Sequence, residues 1–353
     1  MTEELPDEAY AVGLAMCPTI GPATLRRLFE NSTAREAWEH HATGGGRPVG
    51  DLAAIWHHHR NHGITVLLPN DASYPRRFAD DPMAPPLLFC KGDPNVLNRV
   101  PTVALVGTRA PTRYGVGVAA QLGADLSAAG VSIVSGLALG IDAAAHEGAC
   151  GAGAPPVGVV AGGLDDPYPR RHTRLWSRVA EHGAVISESP ARTRTEKWRF
   201  PVRNRLLAGM SDAVVVVESR HAGGSRHTVD AALATGKPVG AVPGSIRSSA
   251  SEGTNALLAE GAFVVSSAGD VLMALGLRGI DPPVARRRSG AAEVPKPAPG
   301  EETRVYDALT ADPTSLDELV RLTHLDFPAL CGALERLARG GLARDVGGWW
   351  ERA

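Results

Sequence analysis

The sequence predicts an α/β fold, an extended Rossmann-like domain with a mostly parallel sheet and helices on both faces. Short β-rich runs alternate with helix-length segments through the middle of the chain, which is the order of a parallel sheet joined by crossover helices. The runs are continuously apolar, as expected of strands that are covered on both sides. With 353 residues, the chain also has room for smaller domains at either end.

Residues 1–65 are predicted to form a helical domain of the helix-hairpin-helix or SAM-like type. Apolar side chains recur there at helical spacing, and segment 19–24, Thr-Ile-Gly-Pro-Ala-Thr, is a tight turn between two helices. The free N–H groups of such a turn can bind a phosphate. A Gly-Pro pair between helices is more often a simple connector, so the turn alone assigns no function.

A histidine-rich tract occupies residues 57–62. His58 and His62 are one helical turn apart and would share a face. No neighbouring acid or cysteine completes a set of metal ligands, so the sequence predicts no metal site.

The central domain is predicted to span residues 66–280, with a first strand that begins just before it. The eight predicted strands are 64–68, 103–107, 131–135, 157–161, 184–187, 213–218, 239–242 and 262–265. The predicted helices among them are 115–129, 139–149, 171–182, 202–210, 225–236 and 253–260. Sheets of this kind bind ligands at the carboxyl ends of their strands, so the loops there are the first candidates for a site.

Two further segments complete the predicted organisation. Residues 281–300 contain five prolines and little that can be buried, and are predicted to be a linker. Residues 301–353 show three helical stretches and then a β-rich wing, the order of a winged helix. Because this domain has ten acidic residues and six arginines, we expect a protein-contact or self-association module rather than a binder of duplex DNA.

The loops after the predicted strands are rich in glycine and small hydroxyl residues. Glycine permits close backbone approach, and hydroxyl and amide N–H groups bind phosphate oxygens. Neither a Gly-x-x-x-x-Gly-Lys-[Ser/Thr] loop nor a Gly-x-Gly-x-x-Gly loop follows a strand, which disfavours NTP hydrolysis and dinucleotide redox chemistry. The predicted phosphate-facing rim comprises 107–109, 135–142, 162–165, 223–228 and 242–244.

Asp142 and His146 are spaced as neighbours on one helix face and form a candidate acid–base pair. No activated nucleophile or Gly-x-Ser-x-Gly elbow accompanies them. The favoured interpretation is a structural pair that orders the loop at Ser135, and no catalytic residue is predicted.

A strongly basic segment runs from Arg170 to Arg205, with ten Lys or Arg residues and three acids. Such local charge is typical of a polyanion partner. Pro201 suits the first position of a helix, whose N–H groups would then be free to bind an anion. Phe200 adds a ring on which a base of single-stranded nucleic acid can stack. A salt-bridged helix start explains the segment equally well.

Composition indicates an ordinary globular protein, with 44% hydrophobic and 21% charged residues. The four scattered cysteines form no Cys-x-x-Cys pair, which predicts reduced thiols. No signal sequence and no membrane-spanning run is recognisable. We therefore expect a cytoplasmic protein with no membrane partner.

A series of short motifs occurs in order between residues 74 and 265. They include Tyr74-Pro75, Gly107-Thr108-Arg109, Ser135-Gly136-x-Ala138-x-Gly140-Ile141-Asp142, Gly162-Gly163-Leu164-Asp165, Phe200-Pro201-x-Arg203-Asn204-Arg205 and Val242-Pro243-Gly244. The series resembles the bacterial DNA-processing protein A (DprA, or Smf) family. That resemblance implies a non-catalytic protein without a cofactor, which binds single-stranded DNA as a homodimer and helps to load the RecA recombinase during natural transformation.

The resemblance and the physical pattern together give one predicted DNA-binding set. Five of its members, Arg109, Lys197, Phe200, Arg203 and Arg205, are the DNA-contacting groups that the family motifs imply. The full set is Arg109, Ser135, Gly136, Gly162, Gly163, Arg170, Lys197, Phe200, Arg203, Asn204, Arg205, Gly224 and Ser225.

The chain departs from the family pattern at two places. Gly223-Gly224-Ser225-Arg226-His227-Thr228-Val229 stands where Ser-Gly-Ser-Leu-Ile-Thr-Ala is usual, and His172 stands where the family has Asn. Two alternative functions remain open: an enzyme like the nucleoside-monophosphate phosphoribohydrolases, and a nucleotide-sensing module. The segment 222–230 only faintly resembles the phosphoribohydrolase loop Pro-Gly-Gly-x-Gly-Thr-x-x-Glu, because it lacks the Pro, a turn Gly and the Glu.

Overall fold

The computed structural model describes residues 4–43, 50–79, 81–221, 223–277, 300–309, 314–345 and 348–352. The chain divides into two compact units, Met1–Ala285 and Arg286–Ala353. The predicted linker 281–300 lies, apart from Gly300, outside the described residues. Independent folding of residues 1–65 stays a prediction.

The described part of the first unit contains a nine-stranded sheet in the order β1-β2-β6-β5-β4-β3-β7-β8-β9. β1–β2 and β2–β6 are antiparallel, and the other pairs are parallel. The predicted mostly parallel sheet is therefore confirmed. Its strands are β1 Ile64–Leu67, β2 Leu88–Gly92, β3 Thr102–Val106, β4 Ser132–Ser135, β5 Val157–Val159, β6 Ala184–Ser187, β7 Ala213–Val216, β8 Val239–Ala241 and β9 Phe263–Val264.

Helices cover both faces of this sheet, as the apolar strands predicted. One core cluster joins the sheet to α8, α9 and α10, and another joins its opposite face to α5, α6 and α11. The helices of the unit are α1 Asp7–Ala15, α2 Pro22–Asn31, α3 Ala34–Thr43, α4 Leu52–Asn61, α5 Arg113–Ala128, α6 Ile141–Ala149, α7 Thr173–His182, α8 Arg199–Gly209, α9 Arg226–Ala234, α10 Glu252–Ala259 and α11 Ala268–Ala274.

The four N-terminal helices share a core with the antiparallel edge of the sheet. Leu14 of α1 and Leu25 of α2 belong to the same apolar cluster as Ile64 of β1, Phe89 of β2 and Trp176 of α7. The segment 19–24 contains the turn that leads into α2, and Pro22 is the first residue of that helix. Burial of this shared apolar surface holds the helices against the sheet.

The second unit forms the predicted winged helix around its own small core. Three helices are followed by the two strands of the wing. A short strand before the second helix pairs with the second strand of the wing. The elements are α12 Glu301–Ala308, β10 Thr314–Ser315, α13 Leu316–Thr323, α14 Phe327–Arg339, β11 Ala343–Asp345 and β12 Trp349–Arg352. No helix in the described ranges of either unit has the length and apolarity needed to cross a bilayer.

Candidate nucleic-acid interface

A cleft opens at the point where the order of the parallel strands reverses. The chain passes from β3 outward through β4, β5 and β6, and then returns to β7 on the other side of β3. Loops diverge at such a switch point and leave a crevice beyond the carboxyl ends of the strands. Here the crevice has a volume of about 530 Å³ and is lined by the loops after β3 and β7 and by the start of α8.

Two predicted residues meet in the middle of this cleft. The guanidinium carbon of Arg109, which follows β3, lies 4.2 Å from the centroid of the Phe200 ring on α8. The Tyr168 ring is 6.2 Å from the same ring. Arg109 is exposed and Phe200 is half-buried. A cation and an aromatic surface are thus presented together to the cleft, and we call this region, defined by Arg109, Lys197 and Phe200, the Phe200 cleft.

The cations of the Phe200 cleft are not neutralised by acids. Within the described ranges, no carboxylate forms a salt bridge with Arg109, Lys197 or Arg220, and all three are exposed. They line the cleft together with Gly224 and His227. Unpaired positive charge in a concave surface attracts a polyanion at long range.

The start of α8 differs from its predicted form. The helix begins at Arg199, so Pro201 is its third residue rather than its first. The N–H groups of Arg199 and Phe200 donate to the carbonyls of Glu196 and Lys197, at 3.0 and 3.4 Å. The predicted free N–H groups are therefore already bonded, and anion attraction at this helix start comes from side chains.

A narrower pocket adjoins the Phe200 cleft on the other side of the ring and has a volume of about 50 Å³. Gly136, Gly162 and Gly163 line it, with Tyr168 and Thr195. A Cβ on Gly162 would overlap the Thr195 hydroxyl, and one on Gly163 would lie 2.8 Å from the Pro190 carbonyl. The glycines are needed because neighbouring loops pack directly against their backbone, which leaves main-chain atoms at the pocket surface.

Arg203, one of the predicted DNA contacts, is only 5% exposed. Its Nη1 donates to the Val159 carbonyl, and its guanidinium lies beside the Asp142 carboxylate, where a Cβ on Gly136 would overlap both. Burial lowers the pKa of Arg203 to about 10, and Asp142 opposes this. The side chain remains charged near neutral pH, but it is an interior group and not an exposed phosphate contact.

Arg205 and Asn204 also have internal partners. Arg205 forms a partly buried ion pair with Glu188 and donates to the Met83 carbonyl at 2.7 Å. Arg205 lies outside the Phe200 cleft, because helix geometry points it away from Arg203. Asn204 lines the cleft, but its Nδ2 donates to the Gly224 carbonyl at 3.1 Å and so positions that loop.

The two predicted serines shape loops. The Ser135 hydroxyl is fully buried and donates to the Leu105 carbonyl at 2.6 Å. The Ser225 and Ser219 hydroxyls are 2.9 Å apart. Each hydroxyl therefore already has a protein partner, and a role for either serine in DNA binding stays a prediction. Arg170, in contrast, is exposed and has only a weak contact with Asp166, at 3.9 Å.

Asp142 performs the structural role that the sequence favoured. Its Oδ2 accepts hydrogen bonds from the N–H groups of Gly136 and Ala138, at 3.1 and 3.4 Å. Burial raises the pKa of Asp142, and Arg203 lowers it. His146 is fully buried; burial lowers its pKa to about 4, against a weaker opposite effect from the backbone of Ser135. A neutral, enclosed imidazole cannot exchange protons with a ligand in the cleft.

The N-terminus of α5 is already occupied by a carboxylate of the chain itself. Glu218 follows β7 and is 2% exposed. Its Oε2 accepts from the backbone N–H of Thr112, and its Oε1 accepts from the Thr112 hydroxyl, both at 2.7 Å. Helix N-termini in this position commonly hold nucleotide phosphates. A phosphate cannot take that place here without displacing Glu218.

The histidine tract has an acid that its local sequence did not reveal. Asp165, from the loop after β5, lies 3.0 Å from Nε2 of His58, and it also accepts the N–H of Arg192. Burial raises the pKa of Asp165, but the hydrogen bonds from His58 and Arg192 outweigh it and the net shift is downward. No group of three potential metal ligands occurs in the described ranges.

Sequence reasoning missed Arg220 and gave Tyr168 no role in the site. Arg220 is the second residue after Glu218, so its place at the end of a predicted strand was a usable signal. Tyr168 comes close to Phe200 only through the fold, since more than thirty residues separate them in the chain. Both are exposed and extend the surface that a ligand can contact.

An extended Rossmann-like sheet with a basic, aromatic cleft at its switch point, together with a winged helix, is an architecture suited to binding a polyanion. The sequence matches the family described as DNA recombination-mediator protein A over residues 65–276 and the DprA winged helix domain over residues 289–338. The chain belongs to this DprA (Smf) family of DNA-processing proteins.

Relatives and solved structures agree with this assignment. The putative DNA processing protein DprA of Mycobacterium tuberculosis (strain CDC 1551 / Oshkosh) is 34% identical over 98% of this chain and 90% of its own length. The X-ray structure of DprA from Streptococcus pneumoniae has a TM-score of 0.60 and 28% identity, covering 76% of this chain and 98% of its own. The structure of DNA processing protein A from Helicobacter pylori, described as showing a unique single-stranded DNA binding mode, has a TM-score of 0.55 and 30% identity, covering 60% of this chain and 95% of its own.

Proposed function

We propose that this protein binds single-stranded DNA in the Phe200 cleft and does so without catalysing a reaction. The stacking of Arg109 on Phe200, 4.2 Å apart, carries the proposal. An aromatic ring beside cations holds a base and its phosphate without reading sequence, because every base has a π-face. The single-stranded DNA binding named for the H. pylori relative supports the same ligand.

The charge around the cleft favours a strand over a mononucleotide. Arg109, Lys197 and Arg220 all line the cleft, and the exposed Arg170 follows Tyr168 by two residues in the chain. Several separated phosphates can use these cations at once, whereas one phosphate can use one or two. Glu218 is already bonded to Thr112, the N-cap of the helix that would anchor a single nucleotide phosphate. We therefore favour DNA binding over the nucleotide-sensing alternative.

The absence of catalysis is supported by the state of the candidate groups. Asp142 is engaged by backbone N–H groups, and His146 is enclosed and neutral. Incubation with AMP tests the enzymatic alternative, and we expect no release of free adenine. Release of more adenine than there is protein would show that the protein is an enzyme like the phosphoribohydrolases and would contradict the non-catalytic proposal.

We further propose a homodimer that helps to load RecA on the bound strand, in the cytoplasm and in the setting of natural transformation. The sheet ends at β9, and Val264 on that edge is 55% exposed. Met273, on the following helix α11, is 69% exposed. Exposed apolar side chains beside a sheet edge are suited to contact with a second protein surface.

A salt-dependent titration tests the DNA-binding proposal directly. Oligo-dT and a duplex of matched length are compared with the full-length protein. We expect cooperative binding with a clear preference for oligo-dT, and an affinity that falls steeply with salt as counterions are displaced, by about 0.7 log units per phosphate contact for each log unit of salt. Equal affinity for the duplex, or binding that ignores salt, would contradict the proposal.

A further inference from the structure

A second groove lies on the opposite side of the start of α8. It has a volume of about 630 Å³, and Trp198, Arg199 and Val202 form one wall. The other walls are the turn between α1 and α2 and the loop after β6. We call it the Trp198 groove. Residues just before and at the start of α8 thus divide between two clefts, with Lys197 and Phe200 lining one and Trp198 and Arg199 lining the other.

The Trp198 groove also places a cation on an aromatic ring, although this cation, Arg199, lies 3.6 Å from the Glu196 carboxylate. The guanidinium carbon of Arg199 lies 4.4 Å from the centroid of the Trp198 ring, and that ring is 57% exposed. The indole Nε1–H donates to Glu196 at 2.9 Å, which holds the ring in place. An exposed Trp is not stabilised by burial, so a fixed, cation-bearing indole is well suited to stack against a flat ligand.

The groove also presents groups that suit a phosphate. The N-terminus of α2 opens into it, with Gly21 as an N-cap that makes no side-chain capping bond and with no acid in the first turn. Arg192 on the loop after β6 is exposed and lines the groove. Arg203, 5% exposed, lines both clefts, and its buried Nε has no hydrogen-bond partner among the described atoms.

We propose that the Trp198 groove is a second nucleotide subsite, occupied by the stretch of single-stranded DNA that leaves the Phe200 cleft. This rests on the proposed function, since the Phe200 cleft supplies the first part of the strand. Two features select DNA as the occupant: the two clefts lie on either side of the start of α8 and share Arg203 as a lining residue, and the cations Arg192 and Arg199 line the groove and suit a phosphate backbone. The base next to the α8 start stacks on Trp198, and its phosphate faces the N-terminus of α2.

Oligonucleotide length separates the two subsites. Oligo-dT of roughly 4 to 16 nucleotides, the range of site sizes for single-stranded DNA modules, is titrated against the full-length protein. Trp198→Ala is compared with Trp198→Phe, which keeps a ring, and with Trp349→Ala, which removes a similarly exposed indole of the winged helix. We expect Trp198→Ala to bind the shortest oligomers normally and the longer ones about tenfold more weakly. Trp198→Phe should recover most of that loss, and Trp349→Ala should resemble wild type at all lengths.

The outcomes distinguish this inference from the proposed function. If Trp198→Ala follows wild type at every length while Phe200→Ala weakens binding, the second subsite is absent but the first remains. If the folded wild-type protein binds no oligo-dT at any length, the proposed function itself fails.

A second measurement uses the unaltered protein and does not depend on the folding of a variant. Wild type is photo-crosslinked to oligo-dT that carries 5-iododeoxyuridine at successive positions. An adduct on Trp198 from positions beyond those that label Phe200 supports the subsite. Labelling confined to the Phe200 cleft at every position overturns it.

Discussion

The guanidinium of Arg109 rests on the ring of Phe200, with 4.2 Å between the guanidinium carbon and the ring centroid. The two residues come from different elements, the loop after β3 and the first turn of α8, and meet only at the switch point of the sheet. Each restricts the other's rotamers, so the cleft is ordered before a ligand arrives. Their contributions to binding are therefore coupled.

A double-mutant cycle measures this coupling. Arg109→Ala, Phe200→Ala and the double variant are titrated with oligo-dT at one salt concentration. Because each single change removes the same stacking contact, we expect the combined loss to differ from the sum by about 0.5–1 kcal/mol. The control pairs Phe200→Ala with Arg170→Ala, since Arg170 does not contact the ring, and should be additive. Strict additivity in the first cycle would show that the contact has no energetic role in binding.

Salt dependence should separate charge from stacking. Arg109→Ala and Lys197→Ala each remove an unpaired cation, so both should weaken binding and reduce the slope of log affinity against log salt by about 0.7. Phe200→Ala should weaken binding by about 1–3 kcal/mol with nearly the same slope as wild type. Titrations across a salt series check this. A reduced slope in Phe200→Ala, or an unchanged slope in both cation variants, would reverse the roles assigned to these side chains.

Arg203→Ala should affect the fold rather than the salt slope. Its removal leaves the buried Asp142 carboxylate without its cation, a type of change that costs about 3–5 kcal/mol. We expect a lower midpoint in chemical denaturation. Arg170→Ala is the matched control, because its side chain is exposed, and should change stability by less than about 0.5 kcal/mol. An Arg203→Ala protein of wild-type stability that has lost DNA binding would return this residue to the predicted ligand contacts.

His146 should make the fold sensitive to mild acid. Burial lowers its folded-state pKa to about 4, whereas the unfolded chain binds a proton near pH 6.5. Between these values the unfolded state holds more protons, so stability falls as the pH falls, by up to about 3 kcal/mol. The raised pKa of Asp142 has the opposite effect on the pH dependence of stability. Asp142 is present in both wild type and His146→Gln, so its effect cancels when the two proteins are compared.

Denaturation curves from pH 7 to 4 provide the measurement for His146. His146→Gln should lose less stability over this range than wild type, whatever its absolute stability. His182→Gln, which alters an exposed imidazole, is the control and should follow wild type. Parallel curves for wild type and His146→Gln would show that the buried ring does not titrate as expected.

The winged helix should be dispensable for binding single-stranded DNA. Three of its arginines are paired with acids of the same unit: Arg336 with Glu302, Arg339 with Glu335 at 3.4 Å, and Arg344 with Glu351 at 3.7 Å. A chain shortened to end near residue 281 should keep the affinity and salt slope of the full protein, although its oligomer size or partner binding can change. A folded, shortened dimer that has lost most of its DNA affinity would place this unit in the binding surface.

The sequence predicted most of the fold because the parallel strands are apolar runs with clear boundaries. It missed β2, Leu88–Gly92, which is preceded by prolines and is antiparallel to both of its neighbours, so it lacks the strand–helix alternation that identified the others. Sequence reasoning also placed Arg109 and Phe200 in one predicted set, and both line the same cleft. They meet because strand ends and helix starts converge in sheets of this kind.

Sequence reasoning did not predict that Arg203 is buried, although the helical spacing of its neighbours indicated it. Arg203 is three and four residues before Leu206 and Leu207 and therefore shares their buried face. Motif resemblance outweighed that pattern. The contact of Asp165 with His58 lay beyond sequence reasoning, because 107 residues separate the two and only the packed fold joins them.

The carboxylate of Glu218 at the start of α5 has a kinetic consequence. A protein that grips one phosphate at a helix N-terminus has a single strong anchor, and release then requires that anchor to break. Here that position is filled internally, so in the proposed complex the binding energy is divided among separate weak contacts along the strand. Such contacts can open one at a time, and a bound strand can be transferred stepwise to another protein without ever being fully free in solution.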